Sequence, residues 1–278
     1  MEKDVDYFES YAPVASWSTI RVILVMAMQH NWTINQVDFD NAFVQAPLDK
    51  DVYIELPPMF QDESWMDKKE VCLKLKKSLY GMVDAPRNFY LHIRKGLNKL
   101  GFQQSENDPG IYFGRGMVLI LYVDDLLLCG PDPEEIKKVL KELKDNGHEH
   151  TEEEKENDAF SFLGIELKVN GEEVKFTQLG LITKVLETTG MIDCNSKRTP
   201  AGINPLGTDA DGEEVKESWN YASVIGMMMY LASNAYPEIQ FAVHQCARFT
   251  HCPKQSHAQA VKKEFASTLN MCWNKNKA

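Results

Sequence analysis

Two adjacent aspartates, Asp124 and Asp125, lie in the middle of an apolar run from Met117 to Cys129. Buried carboxylates without partners would repel each other or take up protons, so this run cannot form one continuous buried strand. In one arrangement that avoids this, the pair is the exposed tip of a β-hairpin between buried strands, because aspartate is a good turn residue. In the other, the same tip binds divalent cations, which need clustered oxygen ligands.

A third acidic residue, Asp38, follows a short strand pattern elsewhere in the chain. Apolar Ile34 and Val37 flank the polar Asn35 and Gln36, and Asp38 falls where this pattern ends. One interpretation is an aspartate that terminates a strand or caps a helix. The other is a carboxylate that meets the aspartate pair at a sheet end, where together they bind metal ions.

Several sequence blocks resemble those of one family, and they occur in the family's order. Asp38 followed by Ala42-Phe43 resembles the first catalytic motif of reverse transcriptases, and Tyr122-Val123-Asp124-Asp125 resembles their second. Residues 78–87, Ser-Leu-Tyr-Gly-Met-Val-Asp-Ala-Pro-Arg, are similar to the Ser-Leu-Tyr-Gly-Leu-Lys-Gln-Ala-Pro-Arg block of copia-type LTR retrotransposons. Further blocks that fit are residues 11–15, 108–112, 162–165 and 221–226. The chain is therefore identified as a member of the copia-type reverse transcriptases, RNA-dependent DNA polymerase domains of retrotransposon Pol polyproteins.

The order of strand and helix patterns predicts an α+β fold, a sheet with helices on one face. The resemblance implies the right-hand polymerase fold, in which the palm sheet brings Asp38 and the 124–125 hairpin side by side. It implies that residues 1–177 form the palm and fingers, the fingers being incomplete at the N-terminus. Residues 178–220 are expected to form the thumb and a linker. Residues 221–278 would begin a connection toward a ribonuclease H domain.

The same resemblance assigns roles to individual residues. Asp38 and Asp124 would ligate two Mg²⁺ ions, for which Mn²⁺ can substitute, with Asp125 assisting and the Phe39 backbone carbonyl completing one shell. Phe43 matches the aromatic residue that stacks under the nucleotide sugar and excludes a 2′-hydroxyl. The other implied contacts are with the nucleotide, through Tyr80, Gly81 and Arg21, and with the primer end, through Tyr122. The residues alone leave alternatives open: a core phenylalanine, ordinary turn chemistry at 80–81, and a surface arginine.

The charge balance limits how the chain can bind nucleic acid. The net charge of −11 argues against a strong binder, because phosphate contacts require Lys and Arg. Between residues 74 and 99, however, basic residues far outnumber the single acidic one, Asp84. The predicted template and nucleic-acid face consists of Lys74, Lys76, Lys77, Arg87 and Arg94. The expected partners are an RNA or DNA template with its primer, and deoxynucleoside triphosphates.

Composition also bears on location. The six cysteines are scattered without a paired framework, which favours a reduced, intracellular protein. No apolar stretch reaches the ~18–20 residues of a membrane span, so no membrane partner is expected. The compartments that the resemblance implies are the cytoplasm, a virus-like particle or the nucleus.

Departures from the family pattern leave three functions open. Only the segment Met1 to Ser10 precedes the first block, which predicts incomplete fingers and weak nucleotide binding. Val83 and Asp84 replace the usual Lys-Gln, and Asp84 is expected to place a carboxylate where the nucleotide or template approaches. The resemblance leads us to expect that the ribonuclease H and integrase parts of a Pol polyprotein are missing and that the C-terminal end is atypical. The functions are an active polymerase domain, a truncated and catalytically silent retrotransposon remnant, and a nucleic-acid-binding module.

Overall fold

The computed structural model describes residues 9–57, 71–152, 159–170, 173–195 and 205–262. Contacts divide the chain into two compact units. Unit 1 comprises Met1–Phe160 with Asn170–Val174, and unit 2 comprises Ser161–Val169 with Lys175–Ala278. Helices and strands are mixed, as the α+β prediction requires.

Unit 1 is built on a six-stranded antiparallel sheet with the order β4-β5-β6-β7-β1-β8. The central pair, β6 and β7, is the apolar hairpin that the sequence predicts, and β1 pairs with the outer edge of β7. The strands of this sheet are β1 (Thr33–Phe39), β4 (Gln103–Gln104), β5 (Ile111–Gly114), β6 (Met117–Tyr122), β7 (Asp125–Gly130) and β8 (His150–Glu152).

Helices cover both faces of this sheet. Helices α3 (Ala85–Lys99) and α4 (Pro133–Asp145) pack in one core with alternate strand residues such as Leu126 and Leu128. Helix α1 (Trp17–Gln29) contacts β7. The intervening β7 residues Leu127 and Cys129 are fully buried but do not belong to that core. Because successive strand residues point to opposite faces, α1 lies on the second face. The expectation of helices on one face alone is therefore wrong.

The N-terminus of α1 joins two of the family-like blocks. The cap is Ser16, whose side chain accepts a hydrogen bond from the Thr19 amide. The Asp108 carboxylate accepts bonds from the backbone amides of Ser16, at 2.9 Å, and Gly110, at 3.2 Å. A Cβ on Gly110 would lie 2.3 Å from the backbone nitrogen of Ala15. Blocks 11–15 and 108–112 thus meet at a close approach that only glycine permits.

A smaller antiparallel hairpin in unit 1 precedes α3. It pairs β2 (Tyr53–Glu55) with β3 (Cys72–Lys74), and the short helix α2 (Ala42–Gln45) lies between β1 and β2. The pairing continues toward α2 through a bridge between Pro47 and Lys77. This hairpin and α2 bring residues 42–50 alongside residues 75–84.

Unit 2 contains most of a three-stranded sheet and a helical core. The strands, in the order β11-β10-β9, are β9 (Ala159–Phe162), β10 (Ile165–Asn170) and β11 (Glu173–Thr177). The helices are α5 (Leu179–Thr189), α6 (Tyr221–Asn234), α7 (Gln240–Ala247) and α8 (Gln255–Ala260), with a 3₁₀ turn at Pro237–Ile239. Their apolar side chains form one core. In the part of the chain that the structure describes, no helix is long and apolar enough to span a membrane.

Candidate polymerase active site

The pairing of β1 with β7 brings the three aspartates to one end of the sheet. In this register Asp38 lies directly opposite Asp125, and the Phe39 amide donates a 2.9 Å hydrogen bond to the Asp124 carbonyl. Directly opposed residues in an antiparallel pair point to the same face. Asp38 and Asp125 therefore share a face, and Asp124 lies in the turn beside them.

The tip of the hairpin is a two-residue turn, Val123-Asp124, closed by the pair Tyr122 and Asp125. Val123 has a φ of +56°, a left-handed conformation that is costly for a β-branched residue. At the other tight hairpin turns in the described residues, Arg115-Gly116 and Leu163-Gly164, a glycine occupies the second position. In the aspartate turn Asp124 has no positive φ, so the strain lies at Val123 alone.

The carboxylates at this sheet end repel one another. Partial burial raises the pKa of the Asp38 carboxyl, and the neighbouring carboxylates of Asp124 and Asp40 raise it further. Asp40 itself accepts a 2.8 Å hydrogen bond from the Thr151 hydroxyl on β8. Without a cation the group of acids is electrostatically unfavourable, as the crowding of like charges requires.

Asp125 differs from the other two because a buried glutamine holds it. The Gln36 side-chain amide donates to Oδ1 of Asp125 at 3.3 Å, and Gln36 is almost fully buried. Sequence analysis did not single out Gln36. The signal was present, since Gln36 lies two residues before Asp38 on the same strand and so faces the same side.

The predicted nucleotide residues Phe43, Tyr80 and Gly81 lie beside the carboxylates. The Phe43 and Tyr80 rings are 4.7 Å apart. Burial raises the pKa of the Tyr80 hydroxyl, and the charges on Asp124 and Asp38 raise it further. Gly81 has a φ of +95°, and the Met82 amide donates to the Leu79 carbonyl at 3.2 Å. These are the features of a type II turn, whose third residue needs a positive φ.

Asp84 does not point toward an approaching nucleotide, and that expectation is wrong. Its side chain is buried, and Oδ2 lies 2.8 Å from Nζ of Lys50. The ion pair neutralises the carboxylate inside the protein, so Asp84 presents no negative charge to a substrate.

The remaining predicted residues lie on separate parts of unit 1. Tyr122 ends β6 next to the aspartates, whereas the Arg21 guanidinium stacks over Trp17 of its own helix at 5.9 Å. Two of the predicted template-binding cations have acidic partners: Lys74 pairs with Asp51 at 2.6 Å and Arg87 with Glu9 at 3.0 Å. The side chains of the others, Lys76, Lys77 and Arg94, are exposed.

The residues present fit a magnesium ion that substrate phosphates help to coordinate. Within the described residues, no group of three or more His, Cys, Asp or Glu side chains is arranged to hold a metal on its own. Mg²⁺ is commonly bound through one or two carboxylates together with substrate phosphates, so a complete protein cage is not needed. Asp38 and Asp124, whose like charges already interact, could supply those two carboxylates.

The mixed fold, with carboxylates gathered at one sheet end beside an aromatic pair, is that of a polymerase-like protein. Residues 2–202 match the family described as reverse transcriptase (RNA-dependent DNA polymerase). The chain belongs to this family, which consists of nucleotidyltransferases, and the copia-type identification is confirmed by the relatives that follow.

The chain is similar to retrotransposon polyproteins from plants. It is 34% identical over 263 residues to a retrovirus-related Pol polyprotein from transposon RE1 of Arabidopsis thaliana, covering 93% of this chain and 17% of that protein. It is 30% identical over 274 residues to the corresponding protein from transposon TNT 1-94 of Nicotiana tabacum, covering 94% and 20%. The chain thus spans about a fifth of the length of these relatives.

Two further similarities are more distant. A putative transposon Ty5-1 protein of Saccharomyces cerevisiae is 28% identical over 250 residues, covering 85% of this chain and 77% of that protein. Among solved structures, a Candida albicans telomerase in complex with a fragment of telomeric RNA has a TM-score of 0.34 and 11% identity. That alignment covers 98% of this chain and 56% of the telomerase chain.

Proposed function

We propose that this chain is an RNA-directed DNA polymerase domain that adds deoxynucleotides to a primer 3′-hydroxyl. The observation that supports this best is the meeting of Asp38 with the Asp124 turn beside the Phe43–Tyr80 ring pair. In this proposal residues 1–177 contain the palm and part of the fingers, residues 178–220 the thumb and a linker, and residues 221–278 the start of a connection.

The reaction joins the 3′-oxygen of the primer to the α-phosphorus of a deoxynucleoside triphosphate and releases pyrophosphate. Two Mg²⁺ ions, when bound, lower the pKa of the hydroxyl and stabilise the charge on the leaving group. Asp38 and Asp124, with the Phe39 carbonyl, would hold these ions, and Mn²⁺ could replace them. Asp125, held by Gln36, would add negative charge beneath the pair.

The ring pair would form the floor of the nucleotide site. Phe43 would lie under the sugar, where an aromatic ring leaves no room for a 2′-hydroxyl. Gly81 would let the backbone approach the nucleotide, and Tyr122 would lie near the primer end. The exposed side chains of Lys76, Lys77 and Arg94 would contact template phosphates. Because Lys74 and Arg87 have acidic partners, the affinity for nucleic acid should be modest and sensitive to salt.

Primer extension on a poly-rA template with an oligo-dT primer tests the proposal, with Mg²⁺ or Mn²⁺ present. Extension by the unmodified chain and its loss in Asp124→Asn would support a polymerase. Salt-sensitive binding of the template–primer without any extension would instead favour a nucleic-acid-binding module or a silent remnant. Phe43→Val should additionally allow incorporation of ribonucleotides, because it removes the ring proposed to exclude the 2′-hydroxyl.

A further inference from the structure

Lys50 and Asp84 form an ion pair next to the Tyr80–Gly81 turn, and neither residue belongs to the catalytic set above. Their Nζ and Oδ2 atoms are 2.8 Å apart, and the side chains are 27% and 5% exposed. The other carboxylate oxygen of Asp84, Oδ1, is buried without a hydrogen-bond partner. The Asp84 charge is therefore inside the protein, and Lys50 is its ion-pair partner.

The position of Asp84 in the sequence predicts a different role from the one observed. Asp84 is the N-cap residue of α3, where an aspartate side chain usually accepts a hydrogen bond from the first helical amides. The side chain makes no such capping bond. Its carboxylate is instead directed to Lys50, a residue outside the helix. The pair thus connects the start of α3 to the segment that precedes β2.

A second connection holds the other end of the same turn. The Ser78 amide donates to the Ala46 carbonyl at 3.0 Å, and the Ser78 hydroxyl accepts from the Asn88 side chain at 3.1 Å. Ser78 is fully buried. Ser78 and Asp84 flank the turn of residues 79–83, and their partners Ala46 and Lys50 lie in one short segment directly after α2.

The segment of residues 46–50 directly follows α2, the helix whose aromatic ring packs against the turn of residues 79–83. Helix α2 carries Phe43, whose ring is 4.7 Å from that of Tyr80 in the turn. One stretch of chain, residues 42–50, therefore both supplies Phe43 and anchors the two ends of the turn that supplies Tyr80. Loss of either anchor would let the turn move relative to Phe43.

We propose that the Lys50–Asp84 ion pair is a positioning pair that fixes the Tyr80–Gly81 turn against Phe43 and so shapes the nucleotide site. This inference rests on the proposed polymerase function. Buried ion pairs contribute little net stability when compared with apolar replacements, but removal of one partner leaves the other as an uncompensated buried charge. In a nucleotide site their geometry matters more than their net stability, because a displaced turn loses its contacts with the nucleotide.

The two partners should respond differently to substitution. Lys50→Met leaves the Asp84 carboxylate buried and unpaired, whereas Asp84→Asn leaves a lysine that is already partly exposed and can turn to solvent. Lys50→Arg keeps the positive charge and should preserve the pair. Asp51→Asn is a matched control, because Asp51 forms an exposed ion pair with Lys74 near the same hairpin.

Steady-state primer extension with varied nucleotide concentration measures the effect. The nucleotide KM should rise about tenfold in Asp84→Asn and more in Lys50→Met, with kcat changed by no more than about threefold. The Kd for the template–primer should not change. Lys50→Arg should behave like the unmodified protein, and Asp51→Asn should leave the nucleotide KM unchanged. An unchanged KM in both Lys50→Met and Asp84→Asn, or an equal KM rise in Asp51→Asn, would overturn the proposal.

Hydrogen-exchange mass spectrometry provides a readout that does not depend on activity. Amides of residues 79–83 should exchange faster in Asp84→Asn, and in Lys50→Met if it folds, while those of α4 stay unchanged. Unchanged exchange at 79–83 in Asp84→Asn would refute the positioning role. If the unmodified chain extends no primer, the proposed polymerase function fails, and the exchange result still decides whether the pair fixes the turn.

Discussion

The backbone of Val123 allows a direct test of strain at the aspartate turn. Its φ of +56° places a β-branched residue in the left-handed region, at a cost of about 1–3 kcal/mol. Replacement by glycine removes this cost, because glycine adopts positive φ as readily as negative φ. The Val123→Gly substitution therefore changes the backbone strain of the turn and leaves its two carboxylates in place.

Two losses oppose this gain. Glycine loses more chain entropy on folding, at about 0.5–1 kcal/mol. The half-buried valine side chain gives up about 1 kcal/mol of apolar burial, roughly half the value for full burial. Val123→Gly should therefore lie within about 1 kcal/mol of the unmodified protein. Val123→Ala keeps a Cβ, and with it most of the strain, so it should be about 1 kcal/mol less stable than Val123→Gly.

Thermal unfolding measures the difference between the two variants. A difference of about 1 kcal/mol corresponds to about 2–4 °C in Tm for a domain of this size. In primer extension, kcat should fall more in Val123→Gly than in Val123→Ala, because glycine lets Asp124 sample more orientations. If Val123→Ala is the more stable variant, the left-handed backbone carries no strain and the reasoning is wrong.

Other predictions concern the acids and the close approach near α1. Mg²⁺ or Mn²⁺ at millimolar concentration should raise the Tm, and Asp38→Asn should stabilise the metal-free protein and abolish that shift in thermal scans. The pKa of Asp38 is raised in the folded protein. The metal-free protein should therefore become more stable as pH falls through this raised pKa, because protonation of Asp38 removes its repulsion with Asp124 and Asp40. Unfolding measured as a function of pH tests this. Burial raises the pKa of Asp108, but hydrogen bonds from the Ser16 and Gly110 amides and from the Thr19 and Ser16 side chains outweigh burial and lower it. The stability that these hydrogen bonds contribute should therefore be present at neutral pH and lost on acidification through that lowered pKa. Asp108→Asn should flatten this acid dependence in urea titrations. Gly110→Ala should fail to give soluble protein, because its Cβ would overlap the Ala15 backbone, whereas Gly180→Ala, with open space around it, should fold normally.

The sequence predicted those parts of the fold that depend on local pattern. The two aspartates inside the apolar run indicated a turn between two buried strands, and the structure has this turn at Val123-Asp124. Helix α3 begins at Ala85 with Pro86 in its first turn, a position that proline favours. These features follow from side-chain spacing within a few residues, so a single sequence is sufficient to find them.

Features that depend on distant partners could not be predicted in the same way. Asp84 has the spacing of a surface or cap aspartate, and only the fold places Lys50, thirty-four positions earlier, within ion-pair distance. The cap of α1 likewise depends on Asp108, which is ninety-two residues from Ser16. Neither contact leaves a periodic signal, because each joins one residue to one residue across the fold.

The candidate site nevertheless depends on the apolar pattern through strand register. In the observed pairing Val37 lies opposite Leu126, both in the main core, while Asp38 lies opposite Asp125 on the other face. A slip of one residue would turn Asp38 into that core and Val37 away from it. The cost of burying the carboxylate excludes this alternative. The alternation of buried Val37, exposed Asp38 and buried Phe39 at the end of β1 therefore does more than bury a strand, because it also determines that the carboxylates meet on one face of the sheet.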